Sequence, residues 1–315
     1  MSRLRQGTIH LFTISGIDLY LHYSWFVVAA FEISDRVGSY SSPVWNVLEY
    51  LSLFVIVTLH EYGHALACRQ VGGKADRIVL WPLGGAAYVN PPLRPGATLW
   101  SIVAGPLVNV ALAPVLVALV LFGKPVGWAQ EIPNAYALIR AVASIDIALL
   151  VFNMLPIYPL DGGKILWSLL WFVMGRARSL MLVTVIGFLG AAGLIIFAVT
   201  SGSIWLGLLC GFLVLNCWTG MRVALALSRR VGAARHAEFA CPSCQAAPLV
   251  GAYWLCPKCR NKFDTFASKA VCPACAAVFA TTACPECGSS NPIGQWMASS
   301  PVVTSEVPRL VEPSL

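Results

Sequence analysis

The segment whose residue types and spacing most clearly indicate a reactive site is HEYGH, at residues 60–64. On a helix, His60 and His64 are four residues apart and share one face, so both imidazoles can reach one metal ion. Glu61 is then placed to take a proton from a water that the metal activates, as in zinc peptidases. The alternative is a pair of core histidines beside an incidental glutamate. Because the string lies inside the apolar run 51–67, where ionisable groups are costly, we interpret it as a functional site.

Asp161 is the best candidate for the third protein ligand that a hydrolytic zinc site needs. It follows Pro156 and Pro159, which break an otherwise apolar helix. By helical rise, His64 lies about 10 Å from the C-terminal end of its own span. The break before Asp161 ends a later span at the same edge of the membrane, so the carboxylate and the two imidazoles can meet.

Cysteines dominate the C-terminal part of the chain, where eight of the eleven form four CxxC pairs. The pairs are Cys241/Cys244, Cys256/Cys259, Cys272/Cys275 and Cys284/Cys287. Eleven residues separate the first pair from the second and eight separate the third from the fourth, which is typical of two zinc ribbons with four thiolate ligands each. Rubredoxin-like iron is the alternative metal. We favour sequential pairing along the chain, with interleaved pairing as the alternative.

The composition is that of a membrane protein, with 58% hydrophobic residues, 11% charged residues and a mean hydropathy of +0.74. These values exclude an ordinary soluble globule and predict an all-α polytopic fold. Six segments approach the roughly 20 residues that a bilayer requires. They are 17–34, 47–69, 97–122, 134–154, 180–200 and 203–227. The first is the weakest, because polar and charged residues crowd its ends.

The charge pattern predicts the orientation of these six spans. Thirteen basic residues fall on one side: Arg3, Arg5, Arg69, Lys74, Arg77, Arg94, Lys164, Arg176, Arg178, Arg222, Arg229, Arg230 and Arg235. Only Arg36 and Lys124 fall opposite. The positive-inside rule makes the first side cytoplasmic, with both termini on it. The net charge of +7 is therefore mostly a matter of topology, and nucleic-acid binding is not expected.

Two segments of the membrane region are predicted to depart from plain spans. Residues 77–95 are rich in glycine and proline, with strand-like pieces at 78–81 and 86–90 around a predicted Gly84-Gly85 turn. A re-entrant β-hairpin beside the metal site is the favoured interpretation, and a cytoplasmic loop is the alternative. Residues 155–160 are predicted to be unwound before a short helix that begins at Asp161.

Changes in composition divide the chain into three regions. Residues 1–230 are the predicted membrane-embedded catalytic domain, and residues 238–290 are the predicted double zinc ribbon. Residues 291–315 lack periodicity and are predicted to be disordered. Arg140 and Asp146 lie within the fourth predicted span, where they could line a water path or pair with neighbouring helices.

Three motifs carry a resemblance to a known family. HEYGHALA resembles the HExxH helix of the site-2 protease family of intramembrane zinc metalloproteases. NMLPIYPLDGG at 153–163 is similar to that family's N-x2-P-x2-P-x-DG segment, and AGPLVN at 104–109 to its AGPxxN helix start. The resemblance covers about residues 1–230. It implies a set of roles: His60, His64 and Asp161 as zinc ligands, Glu61 as general base, and Asn109 and Asn153 as residues that orient the substrate or the site.

These inferences predict a zinc endopeptidase of the plasma or inner membrane that cleaves a membrane protein in or next to a transmembrane segment. One catalytic and two structural zinc ions are expected. No loop between spans is long enough for an inserted PDZ domain, so the ribbons are the candidate docking module for a cytoplasmic regulator or adaptor. The alternative is a catalytically silent membrane scaffold that displays the ribbons. The oligomeric state stays open.

Overall fold

The computed structural model describes residues 7–36, 38–81, 84–202 and 204–297. The chain divides into two compact units, Met1–Arg229 and Arg230–Leu315, and each is described by itself. The strands of the first unit are β1 (Thr8–Ile14), β2 (Ile17–His22), β3 (Lys74–Trp81) and β4 (Gly84–Asn90). Its helices are α1 (Ser24–Asp35), α2 (Pro43–Gln70), α3 (Pro95–Val126), α4 (Trp128–Glu131), α5 (Pro133–Asn153), α6 (Asp161–Met174), α7 (Arg176–Ser201) and α8 (Ile204–Val231).

Five helices of the described residues are long and apolar enough to cross a membrane: α2, α3, α5, α7 and α8. They coincide with five of the six predicted spans. The predicted helical span over 17–34 is wrong, because its first part is strand β2 and its second is the 12-residue helix α1. A helix of that length rises about 18 Å, less than the bilayer core. The period-two burial of Ile17, Leu19 and Leu21 is the strand signal that the overall hydropathy concealed.

The four strands form one sheet in the order β1-β2-β3-β4. β2 and β3 run parallel, and the other neighbours run antiparallel. The predicted hairpin is present as β3 and β4, but the predicted Gly84-Gly85 turn is wrong, since these glycines pair with Trp81 and Leu80 inside the ladder. The connecting residues 82–83 lie outside the described part of the chain.

Strand β2 and helix α1 run alongside α2 and are fastened to it at both ends. At one end, the Arg69 guanidinium donates to the backbone carbonyls of Ser15 and Gly16. At the other end, Arg36 pairs with Glu49 at 3.0 Å. Glu49 and Arg69 lie about 30 Å apart along α2, at 1.5 Å per residue. The strand–helix pair therefore covers the same height as a membrane-crossing helix.

The predicted break after the fourth span is confirmed. Helix α5 ends at Asn153 and helix α6 begins at Asp161, with irregular backbone between them. A Cβ on Gly162 would overlap the backbone carbonyl of Met154, so glycine is needed for α6 to begin this close to the loop. The break thus places the carboxylate of Asp161 at the first residue of a helix, next to α2 and α3.

The second unit is built from four copies of one turn, each beginning at the first cysteine of a CxxC pair. In every copy the cysteine N–H donates to the carbonyl five residues on, and the residue four positions on has positive φ. Short hairpins surround two of these turns: β5 (Trp254–Leu255) with β6 (Lys262–Phe263), and β7 (Thr282–Ala283) with β8 (Ser290–Asn291).

The prediction that disorder begins at residue 291 is wrong for its first part. Asn291 belongs to β8, and Ile293–Trp296 forms a 3₁₀ turn. Trp296 is fully buried against Phe266, which explains why composition alone misplaced the boundary: one large aromatic side chain holds the segment. The remainder of the predicted tail, 298–315, lies outside the described residues.

Candidate metal centres

The structure brings His60, His64 and Asp161 together. The Nε2 atoms of the two histidines are 3.1 Å apart and lie 3.0 Å and 3.2 Å from Asp161 Oδ2, respectively. Tetrahedral zinc with nitrogen or oxygen ligands at about 2.0–2.1 Å separates its ligand atoms by roughly 3.3–3.4 Å. All three side chains are buried, and the three atoms fit three corners of such a site.

The protonation pattern of the two rings also fits a cation. His64 Nδ1 lies 2.9 Å from the Ser101 carbonyl oxygen, and His60 Nδ1 lies 2.7 Å from Asn109 Oδ1. Both partners are acceptors, so each neutral ring carries its proton on Nδ1 and presents a lone pair at Nε2. Two nitrogen lone pairs and a carboxylate oxygen then face one another, an arrangement that a bound cation stabilises.

Close packing between α2 and α3 holds the histidines in place. A Cβ on Gly105 would overlap the His64 ring, and one on Gly63 would lie 2.6 Å from the Ala104 carbonyl oxygen. Both added Cβ atoms would lie closer to a neighbouring atom than real side-chain carbons do, so the two helices approach this closely only because these positions are glycine. The Gly105 of the AGPLVN motif therefore forms one wall of the centre.

Other polar residues take distinct places around the centre. Asn109 is fully buried between His60 and Asp146, and donates to Asp146 Oδ1 at 2.7 Å. Asn153 lines the adjoining cavity. Lys164 Nζ lies 3.8 Å from Asp161 Oδ1. The resemblance singled out Asn153 and Asn109, whereas Asp146 was predicted either to line a water path or to pair with a neighbouring helix. Its hydrogen bond with Asn109 on α3 fits the second alternative. Arg140, by contrast, is exposed.

A cavity of about 1550 Å³ opens onto the centre and is lined by Glu61 together with His60 and Asp161. Its walls are mainly apolar, and they include His22 and Trp81, the last residues of β2 and β3. The cavity is thus large enough for a peptide segment.

The eight tail cysteines form two clusters among the described residues. One holds Cys241, Cys244, Cys284 and Cys287, and the other holds Cys256, Cys259, Cys272 and Cys275. Sulfur–sulfur distances between pairs are 3.6–3.8 Å. A tetrahedral site with metal–sulfur bonds of about 2.3 Å requires about 3.8 Å. The predicted sequential pairing is wrong: the second and third CxxC pairs form one cluster, and the first and fourth pairs form the other.

Local hydrogen bonds prepare two of these thiols for a metal. Burial disfavours the thiolate of Cys241, but hydrogen bonds from Ser289 and from backbone N–H groups outweigh it and lower the pKa of that thiol to about 6. Backbone N–H groups likewise outweigh desolvation at Cys256 and lower its pKa to about 7. The second thiol of each turn shifts the other way, with the pKa of Cys244 raised to about 11 and that of Cys259 to about 12. One cysteine of each turn is therefore favoured as the thiolate, which is the metal-binding form. Phe263 and Phe266 are buried as the cores of the clusters.

Comparison with known proteins agrees with this geometry. The model of Peptidase family M50 matches residues 49–137 and 129–197. A zinc metalloprotease of Methanocaldococcus jannaschii is 32% identical over 216 residues, which cover 69% of this chain and 61% of that relative. Stage IV sporulation protein FB of Bacillus subtilis is 32% identical over 123 residues, covering 38% of this chain and 39% of its own length.

A solved structure is also similar. The site-2 protease from Methanocaldococcus jannaschii superposes with a TM-score of 0.51 and 29% identity, covering 68% of this chain and 95% of that one. The matched regions contain α2 with its two histidines, α3 and the Asp161 segment. The chain is an integral membrane protein that belongs to the site-2 protease family of zinc metalloproteases.

Proposed function

We propose that this chain is an intramembrane zinc protease that hydrolyses a peptide bond in or next to a transmembrane segment of another membrane protein. The observation that carries the proposal is the convergence of His60, His64 and Asp161 at 3.0–3.2 Å on a cavity that Glu61 also lines. His64 lies about 9 Å from the C-terminal end of α2 by helical rise, which supports chemistry just inside the membrane edge.

When bound, zinc supplies the acidity of a water and the polarisation of the scissile carbonyl. Three protein ligands leave a fourth position for these groups, as catalytic zinc sites require. Glu61 accepts the proton of the attacking water and returns it to the leaving nitrogen, which makes it the general base and then the general acid. Its burial within the cavity keeps this proton transfer away from bulk water.

The substrate must be locally extended, because a helical peptide hides its carbonyl groups in hydrogen bonds. In the described sheet, β4 is an edge strand next to α2, and such an edge accepts a further strand through main-chain hydrogen bonds. Trp81, the last residue of β3, lines the cavity, which supports a re-entrant hairpin that holds the substrate extended there. Asn153 contributes a polar group to the cavity wall. Proline substitutions along β4 that leave cleavage unchanged would contradict this step.

The topology that fits this function has six crossings. The strand–helix pair β2–α1 supplies the first, since its contacts at Arg69 and Glu49 cover about 30 Å of α2. The excess of basic residues then makes the side of the centre cytoplasmic, together with both termini. Reporter fusions at the two termini and after Lys124 test this orientation: the two termini are expected on one side and Lys124 on the other.

The tail is proposed to carry two structural zinc ions and to dock a cytoplasmic regulator or adaptor. The sulfur geometry supports closed four-thiolate sites, which hold shape and leave no open position for chemistry. Elemental analysis of the purified chain is expected to give about three zinc ions; iron in place of two of them would overturn the tail assignment.

Co-expression with tagged single-span membrane proteins tests the protease proposal. We expect the wild type to shorten at least one of them and Glu61→Gln to leave it intact. Glu131→Gln is the matched control, because the same change at an exposed glutamate in α4 leaves the centre untouched. Equal processing by the wild type and Glu61→Gln would favour the silent scaffold instead.

A further inference from the structure

The buried carboxylate of Asp146 lies two hydrogen bonds away from the metal-binding face of His60. Asp146 Oδ1 accepts from Asn109 Nδ2 at 2.7 Å, and Asn109 Oδ1 lies 2.7 Å from His60 Nδ1. Neither Asp146 nor Asn109 is exposed. We propose that Asp146 is a positioning residue that, through Asn109, sets the tautomer and orientation of His60. The proposal rests on His60 being a zinc ligand.

The side-chain amide of Asn109 can face His60 in either of two orientations. Turned one way, Asn109 offers an oxygen to His60 Nδ1; turned the other way, it offers an NH₂ group. The second orientation would require a lone pair at Nδ1, which places the ring proton on Nε2 and blocks the nitrogen that faces Asp161. The orientation of Asn109 therefore decides whether His60 can bind a metal.

Asp146 removes this ambiguity because an ionised carboxylate only accepts hydrogen bonds. Asn109 must turn its NH₂ group toward Asp146, and its oxygen then faces His60. The His60 proton is held on Nδ1, and Nε2 keeps its lone pair. This is the carboxylate–histidine–metal arrangement of many zinc sites, with one amide inserted between the carboxylate and the ring.

The second histidine shows why only one of the two needs such a partner. His64 Nδ1 faces the backbone carbonyl of Ser101 at 2.9 Å. A backbone carbonyl accepts only and cannot exchange its oxygen for a donor. The tautomer of His64 is thus fixed directly, whereas that of His60 depends on a side chain that needs its own anchor.

Burial at Asp146 is costly, which argues against a purely structural role. Its second oxygen, Oδ2, is buried without a hydrogen-bond partner among the described residues. An unpaired buried polar atom destabilises a fold, and an apolar side chain on α5 would avoid that cost. The carboxylate is explained by what its first oxygen does for Asn109.

The test measures zinc retention in the full-length chain, independently of proteolysis. Detergent-purified protein is dialysed against graded concentrations of a chelator, and zinc per chain is determined by elemental analysis. A His60→Ala/His64→Ala variant supplies the baseline of tail zinc. The zinc bound in excess of that baseline belongs to the membrane centre. We expect Asp146→Asn and Asp146→Leu to lower the affinity of this centre for zinc by about 10–100-fold. Thr184→Val, which removes an equally buried polar group on α7, is the matched control and should not change it.

A swap of the two side chains separates positioning from packing. In Asn109→Asp/Asp146→Asn, the new carboxylate at position 109 accepts from His60 Nδ1 and from the new amide at position 146. Asp146→Asn alone is expected to lower zinc affinity by at least about 10-fold, whereas the double variant should come within about threefold of the wild type. A role in packing alone predicts no loss of zinc affinity in Asp146→Asn, because asparagine has nearly the shape of aspartate, and so it leaves nothing for the swap to restore.

Three results have defined meanings. Wild-type zinc affinity in Asp146→Asn, or no gain from the swap, would overturn the proposal for Asp146. A wild type with no more zinc than the His60/His64 baseline would instead overturn the metal centre itself. If the Asp146→Leu protein does not accumulate in cells, the zinc affinities of the near-isosteric Asp146→Asn and of the swapped double variant still test the proposal.

Discussion

The membrane centre and the two tail clusters offer ligands for a divalent metal in opposite ways. The membrane centre takes three ligands from helices about a hundred residues apart and opens onto a cavity of about 1550 Å³. Each tail centre takes four thiolates from two short, repeated turns. Open three-ligand sites support chemistry and closed four-thiolate sites support folding. The contrast supports the proposal that the first unit is catalytic and that the tail sites are structural.

The two regions also differ in how each ligand is oriented. In each tail turn the first cysteine is held by backbone hydrogen bonds to residues four and five positions on, although Cys241 also receives a hydrogen bond from the distant Ser289. His60 and His64 instead depend on contacts between helices: Asn109 hydrogen-bonds the ring of His60, and Gly105 packs against the ring of His64. The membrane centre is consequently more sensitive to single changes at a distance.

The largest expected effect separates the two kinds of centre. His60→Ala/His64→Ala should remove one of three zinc ions and reduce cleavage to background, since the open site is lost. Cys256→Ser/Cys275→Ser should also remove one zinc ion, but purified protein should still cleave its substrate. Zinc analysis with a cleavage assay in detergent checks both. If the cysteine variant kept the zinc of the membrane centre but no longer cleaved its substrate, the tail would be needed for catalysis, contrary to a purely structural role.

The pairing of the tail cysteines gives the next effect, measured as zinc per chain. Cys241→Ser/Cys287→Ser alters one cluster and should remove one zinc ion, whereas Cys241→Ser/Cys256→Ser alters both and should remove two. Sequential pairing predicts the reverse for these two double variants. Each pair of substitutions removes the same number of thiols, so the variants control for one another.

A methyl group at Gly105 probes the wall of the membrane centre. Gly105→Ala should force the His64 ring or α3 to shift, lowering stability by about 1–3 kcal/mol and weakening zinc retention. Gly193→Ala, at a helical glycine with open space around it, is the control. Thermal unfolding and zinc analysis measure the two effects. Unchanged zinc retention in Gly105→Ala would mean that the helices separate easily, contrary to the packing described.

The smallest effect is expected in the tail, at Asp264. Burial raises the pKa of this carboxyl group, but hydrogen bonds from the Gly251 N–H, from His236 and from two further N–H groups outweigh it and lower the pKa. The resulting stabilisation is present above about pH 4, the unfolded value, and is lost as the pH falls through the lower folded value. Asp264→Asn should cost about 1–3 kcal/mol at neutral pH.

Hydrogen exchange of the tail amides measures this cost. The difference between the wild type and Asp264→Asn should stay constant from pH 6 to 8, with substrate cleavage unchanged. Faster exchange confined to the membrane unit would contradict the assignment.

Sequence predicted the parts of this molecule whose signals are local. The HEYGH string specifies two ligands through helical periodicity, and the prolines before Asp161 specify where a helix breaks. The four CxxC pairs specify metal turns. Each of these follows from neighbours within about ten residues.

The features that the sequence did not predict depend on contacts between distant residues, for which the residue types allow several alternatives. Eight equivalent cysteines can pair in several ways, and only the folded chain selects the first pair with the fourth. The alternation in Ile17–His22 is apolar enough to be mistaken for part of a span, until β3 is present to pair with it. Asp146 and Asn109 lie on different helices, and nothing local shows that they face each other.

Mass analysis of the products from a purified single-span substrate in liposomes tests the central claim most directly. The account predicts that the wild type produces two fragments whose new ends lie within the substrate's apolar segment, about 10 Å from one membrane edge. It predicts none from Glu61→Gln carrying the same zinc content. Fragments ending outside the apolar segment, or equal cleavage by Glu61→Gln, would contradict it.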